Sequence, residues 1–267
     1  MPFFETSNIS LHYRFEPVRD RPVVVFSNSL GTDLSMWEAQ AAPFREKFSI
    51  LRFDTLGHGE SSVPETAYSL ADAAQDVLAF LDHLNVHQAA FCGLSLGGML
   101  GQWLAIHSGE RFWAFVICNS AAKIGTTDTW NQRIATVTTH GMAAIVPTIL
   151  ERWYTPNFRD LHPEILERTS TMLLRTTPQG YVLACAAIRD MDLRGLVDRI
   201  ASPVLVVYGT EDPVTTPADA YFLIEHIPNA AGVALPAAHL SNIEAPAAFN
   251  SGVLRFLHET YERSHHG

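Results

Sequence analysis

The chain has 267 residues, 47% hydrophobic and 17% charged, which supplies one sizeable core and excludes a disordered polyelectrolyte. Eighteen Lys and Arg against twenty-eight Asp and Glu leave a formal charge of −10, a field that repels nucleic-acid phosphates and anionic membranes and favours a small-molecule partner. The opening MPFFETSNIS has neither a basic n-region nor an apolar h-region, and no uncharged apolar run approaches the roughly eighteen residues of a membrane helix, so a soluble cytoplasmic protein is expected.

Short β-branched and aromatic runs bounded by turn residues predict strands at Ile9 to Phe15, Pro22 to Ser27, Ser49 to Asp54, His87 to Cys92 and Arg111 to Cys118. Before His87, SLADAAQDVLAFLDHLN repeats Leu70, Ala74, Val77, Leu78, Leu81 and Leu84 at helical spacing, with Ser69 as cap and Asp72 three residues on. Leu96 to His107 reads as a second apolar helix. Strands alternating with helices imply a mostly parallel sheet with helices on both faces. From Lys123 to Leu196 the pattern turns to helical segments rich in Thr, Arg and Trp, with Pro147, Pro156, Pro163 and Pro178 as breakers. The sheet resumes at Ser202 to Gly209, followed by a helix over Pro217 to His226, a strand at Gly232 to Leu235 and a last helix from Ala245 to His258. Residues 1–122 and 197–267 are therefore expected to form an α/β core and 123–196 a helical cap. The closing SHHG carries no part of this reading.

In AAFCGLSLGGMLGQWLAIH, Gly93, Ser95 and Gly97 form GxSxG between an apolar strand and an apolar helix. Such a strained turn exposes a serine hydroxyl, its glycines let the backbone fold sharply, and the helix N-terminus favours a developing anion. A hydroxyl is a poor nucleophile at neutral pH, so it needs a base oriented by an acid, and in proteins with this elbow the order is Ser, acid, His. His239, in PAAHLSNIEAP after the last predicted strand, is the candidate base. Asp212, in GTEDPV after Ser202 to Gly209, is the candidate acid; Glu211 beside it is the competitor, read as a solvent-facing turn carboxylate. His58, in DTLGHGESS, precedes the serine and reads as a turn histidine. An oxyanion needs two donors, assigned to the backbone N–H groups of Leu96 and of Leu30 in SNSLGTDLSMW. No metal-binding or phosphate-binding motif stands in a suitable context, so no cofactor is expected. Cys92, Cys118 and Cys185 lack disulfide or zinc spacing and read as buried thiols.

NSLGTDLSMW, DTLGHGESS, FCGLSLGGMLGQWLA, NSAAKIGT, AIRDMDLR, YGTEDPVT and PAAHLSNIEAPAAFN together resemble the 3-oxoadipate enol-lactonases, bacterial α/β-hydrolases, over nearly the whole chain. Asn28 and Ser29 depart from the His-Gly common at the oxyanion loop of relatives. The resemblance implies the α/β-hydrolase fold and hydrolysis of a small anionic enol lactone, in bacterial degradation of aromatic compounds through the β-ketoadipate pathway. A carboxylate substrate meeting a negatively charged chain calls for a local cation. The candidates are Arg133, three residues from Trp130 and able to share a helix face with it as the apolar wall, and Arg189. Arg189 pairing with Asp190 or Asp192, Arg133 as a solvated helix residue, and Trp130 as cap core are the structural alternatives. Another carboxylesterase, a C–C bond hydrolase, a cofactor-free perhydrolase and a non-catalytic ligand receptor use the same framework and stay open at this point, as does homo-oligomerisation.

Overall fold

The computed structural model describes residues 2–6 and 8–266, with Gly267 of the closing SHHG outside them. Its strands are β1 (Phe3–Glu5), β2 (Ser10–Glu16), β3 (Val23–Ser27), β4 (Ser49–Phe53), β5 (Ala89–Leu94), β6 (Phe112–Cys118), β7 (Val204–Gly209) and β8 (Ala230–Leu235). They form one sheet in the order β1-β2-β4-β3-β5-β6-β7-β8, antiparallel from β1 through β2 to β4 and parallel thereafter. Every residue of β4, β5 and β6 is buried, as continuous apolar runs covered on both faces require.

The helices are α1 (Glu38–Arg45), α2 (Leu70–His83), α3 (Leu96–His107), α4 (Thr127–His140), α5 (Val146–Trp153), α6 (Pro156–Leu161), α7 (Pro163–Arg175), α8 (Pro178–Asp190), α9 (Pro217–His226), α10 (Ser241–Glu244) and α11 (Pro246–His266). None among the described residues is long and apolar enough to cross a membrane. Ser69 and Asp72 close the predicted capping box of α2. The last helix runs beyond the expected His258 to His266. β1 was not expected: it has three residues and pairs only with β2.

Between β6 and β7 the chain passes through α4 to α8 without a strand. The prolines there act differently from the expectation. Pro147, Pro156, Pro163 and Pro178 occupy the first or second position of α5, α6, α7 and α8, where a missing N–H costs nothing and a fixed φ favours the helix. They start helices rather than break them. Leu193 N–H donates to Ala122 O at 2.8 Å, closing the neck of the insertion. Its α8 meets the loop after β4 backbone to backbone: a Cβ on Gly57, at φ +81°, would lie 2.6 Å from Gly180 Cα.

Candidate active site

Parallel strands end on one edge of the sheet, and every candidate catalytic residue follows such an end. Ser95 comes immediately after β5 at φ 57° and ψ −109°, a left-handed conformation an L residue rarely adopts. Its N–H donates to Cys118 O on β6 at 2.9 Å, and its carbonyl accepts from Ser120 Oγ at 2.8 Å, so the strain is held by the neighbouring strand end. The motif's glycines are steric necessities. A Cβ on Gly93 would lie 2.1 Å from Gly97 O, and one on Gly97 2.3 Å from Ser27 O.

Asp212 and His239, from the loops after β7 and β8, meet with Nδ1 2.8 Å from Oδ2, both side chains fully buried. Every other neighbour of that carboxylate is a donor. Val214 N–H and Thr215 N–H donate to Oδ1 at 2.7 and 3.1 Å, while Thr215 Oγ1 and Asn119 Nδ2 donate to Oδ2 at 2.8 and 3.0 Å. Burial by itself raises a carboxylate's pKa, but the His239 charge and hydrogen bond, with those from Asn119 and Val214, outweigh it and hold Asp212 at about 2. An ionised carboxylate only accepts, so His239 Nδ1 carries the proton and Nε2 is left with the lone pair of a base. The Trp153 ring covers the imidazole at 6.3 Å between centroids. Glu211 is exposed, and His58 is buried elsewhere with Nδ1 3.2 Å from Leu56 O.

The loop after β3 is pinned to the elbow by Gly97 N–H donating to Asn28 O at 3.0 Å. Among the described residues no acceptor takes the N–H of Leu30 or of Leu96, which leaves both donors free for an oxyanion. Asn28 is held in place at both ends of its amide: its Nδ2 donates to Phe53 O at 2.8 Å and its Oδ1 accepts from Trp37 Nε1 at 3.0 Å. That residue braces the loop from below.

Beside Val214 lies a cleft of about 150 Å³ lined by Ile124, Thr129, Trp130, Arg133 and Arg152. The Arg133 guanidinium sits 5.3 Å from the Trp130 ring, whose Nε1 donates to Ile124 O at 2.6 Å. Arg189 is not brought to this cleft. It grips Asp190 through two hydrogen bonds of 2.7 and 2.8 Å and reaches Asn131 Oδ1 at 2.9 Å, on the surface.

Residues 22–246 match the alpha/beta hydrolase fold family. The chain belongs to the α/β-hydrolase fold family. It is a serine-type carboxylic-ester hydrolase of that superfamily, similar to 3-oxoadipate enol-lactonase 2 of Acinetobacter baylyi, with 46% identity over 92% of each chain. Among solved structures it resembles an enol-lactonase from Burkholderia xenovorans LB400 at 40% identity and TM-score 0.94, covering 96% of this chain and 99% of that one. A hydrolase from Pseudomonas aeruginosa PA01 is similar at 41% identity and TM-score 0.93, over 96% and 97% of the chains.

Four residues of this hydrolase's site were absent from the sequence reading. Asn119, at φ 40°, follows β6; its Nδ2 donates to Asp212 and, at 3.1 Å, to Ala238 O, while its Oδ1 accepts from Ser241 Oγ at 2.5 Å. One amide thus ties together the loops that carry Asp212 and His239. Thr215 adds its hydroxyl, and Arg152 adds a second cation to the cleft. The rule that selected Asp212 and His239, a polar residue just past a strand's carboxyl end, also picks out Asn119.

Proposed function

We propose that this hydrolase opens 3-oxoadipate enol-lactone to 3-oxoadipate through an acyl-enzyme on Ser95. The extensive identity to the Acinetobacter baylyi enol-lactonase carries the reading, and a cationic cleft in an acidic chain supports the anionic substrate. Ser95 Oγ attacks the lactone carbonyl as its proton passes to His239 Nε2, and Asp212 stabilises the imidazolium. The tetrahedral oxyanion takes the N–H groups of Leu30 and Leu96. Collapse breaks the ring C–O bond and expels a resonance-stabilised enolate, which takes the proton from His239 Nε2 and tautomerises to the ketone, leaving His239 neutral again. His239 then draws a proton from water, which attacks the acyl-enzyme and frees Ser95 and the new carboxylic acid. Arg133 holds the carboxylate that the lactone already bears, and Trp130 walls its methylene arm.

A substrate panel tests the reaction: kcat/KM for the enol lactone should exceed that for simple aryl esters by orders of magnitude, and comparable values would sink the dedicated lactonase. Arg133→Ala should raise KM for the anionic lactone about tenfold more than for a neutral ester. Equal effects on both would remove Arg133 from the carboxylate.

A further inference from the structure

Arg133 and Arg152 reach the cleft from different helices, α4 and the last turn of α5. Among the described residues neither guanidinium has a carboxylate within ion-pair distance; Arg133 lies against Trp130, and Arg152 donates to Pro213 O at 3.0 Å. The pair is electrostatically uncomfortable. Burial first, and then the Arg133 charge, push the Arg152 guanidinium below its usual value, with Asp212 pulling the other way. Tyr181 and Cys185 also feel the Arg133 charge, yet burial pushes both acids up, so they stay neutral. Asp212, the carboxylate whose charge reaches Arg152, is already saturated with donors. Two half-buried cations held together without a counter-ion make a seat for an anion from outside.

We infer that Arg152 is the specificity-determining partner of Arg133, the two guanidiniums gripping one substrate carboxylate between α4 and α5. Two forks on one carboxylate fix its plane as well as its position, which a single arginine stacked on Trp130 does not. The anchor to Pro213 O sets the reach, because it fixes Arg152 one residue from the acid loop's Asp212. The seat therefore selects ligands by the spacing between a carboxylate and the carbonyl presented to Ser95. This extends the proposed lactonase reading and rests on it only for the identity of the ring.

The test uses neutral p-nitrophenyl acetate as the reporter substrate and adipate, a dicarboxylate, as competitive inhibitor. For the unaltered enzyme and for Arg152→Gln, Arg152→Lys and Arg133→Gln, the readout is the adipate Ki divided by the KM of the reporter, since a merely structural loss moves both. Arg152→Gln should raise that ratio about ten- to hundredfold, and Arg152→Lys, which keeps the charge but loses the fork, should raise it less. A ratio unmoved by Arg152→Gln while Arg133→Gln raises it would overturn the inference, as would an unaltered enzyme that adipate fails to inhibit. If adipate binding depends on both arginines but the enol lactone is not turned over, the clamp stands and the lactonase reading falls.

Discussion

Replacing Asp212 by Asn changes one atom in a site where all five neighbours of the carboxylate are donors. The new amide NH2 must face some of them. On the Oδ1 side it would oppose two backbone N–H groups that have no freedom to turn. On the Oδ2 side one fixed donor, the Asn119 amide, is opposed, but Thr215 can rotate its hydroxyl, and His239 can accept at Nδ1 if its proton moves to Nε2. The second arrangement is the less costly one, and it disarms the base, because Nε2 then carries a proton and has no lone pair with which to take one. Loss of the correct tautomer is worth about four orders of magnitude in rate, or roughly 5 kcal/mol of transition-state stabilisation. The fold also loses a group held at about 2 instead of the usual 3.8, a shift worth roughly 2 kcal/mol of stability. That contribution is fully present above the unfolded carboxylate's pKa and fades as the pH falls through the folded value. The expected outcome is therefore a folded enzyme, several degrees less stable, with kcat/KM for an aryl ester down about ten-thousandfold. Rates normalised by active-site titration, beside a thermal melt, measure both quantities. An Asp212→Asn enzyme retaining a tenth of the original rate would refute the tautomer argument and the assignment of Asp212 as the acid.

Ser95→Ala should lower ester hydrolysis by roughly three or more orders of magnitude with an unchanged circular dichroism spectrum; undiminished turnover would end the nucleophile assignment. Burial lowers His58 from 6.5 to about 4, against the opposing Leu56 hydrogen bond and Asp33 charge, so the folded state binds fewer protons than the unfolded one between those values. Stability should fall by roughly 3 kcal/mol as the pH drops through that window; His58→Gln should flatten the loss in denaturant midpoints, and identical pH slopes would contradict it. Gly57→Ala forces a Cβ into Gly180 at a positive φ and should cost about 2 kcal/mol or more in urea unfolding; a neutral effect would mean that α8 shifts freely on the core.

Regular structure was legible where one pattern dominated. The continuous apolar runs of β3 to β7, the capping box of α2 and the amphipathic repeat behind it report local physics, and the structure follows them closely. β1 escaped because three residues, one of them Glu5, carry no alternation. The prolines of the insertion were misread since a proline at the first turn and a proline that ends a helix look alike until the helix boundaries are known. The pairing of Asp212 with His239 could be anticipated from chain order, but their supporting donors could not. Asn119 meets Asp212 across 93 positions, and neither spacing nor composition records such a meeting. Arg152 was overlooked for a similar reason, as its relation to Arg133 runs between two helices. Arg189 had the right chemistry, and its neighbour Asp190 claims it.

The loop bearing His239 is stitched to the insertion on both sides: Leu240 N–H donates to Trp153 O at 3.1 Å, and Glu244 accepts from Ala238 N–H at 2.9 Å and from the Thr155 hydroxyl that opens α6. The proposed base thus hangs from the helical insertion as much as from the sheet edge. A displacement of α5 and α6 would be transmitted through these bonds to the His239 loop. Breathing of the insertion would then broaden the His239 ring resonances.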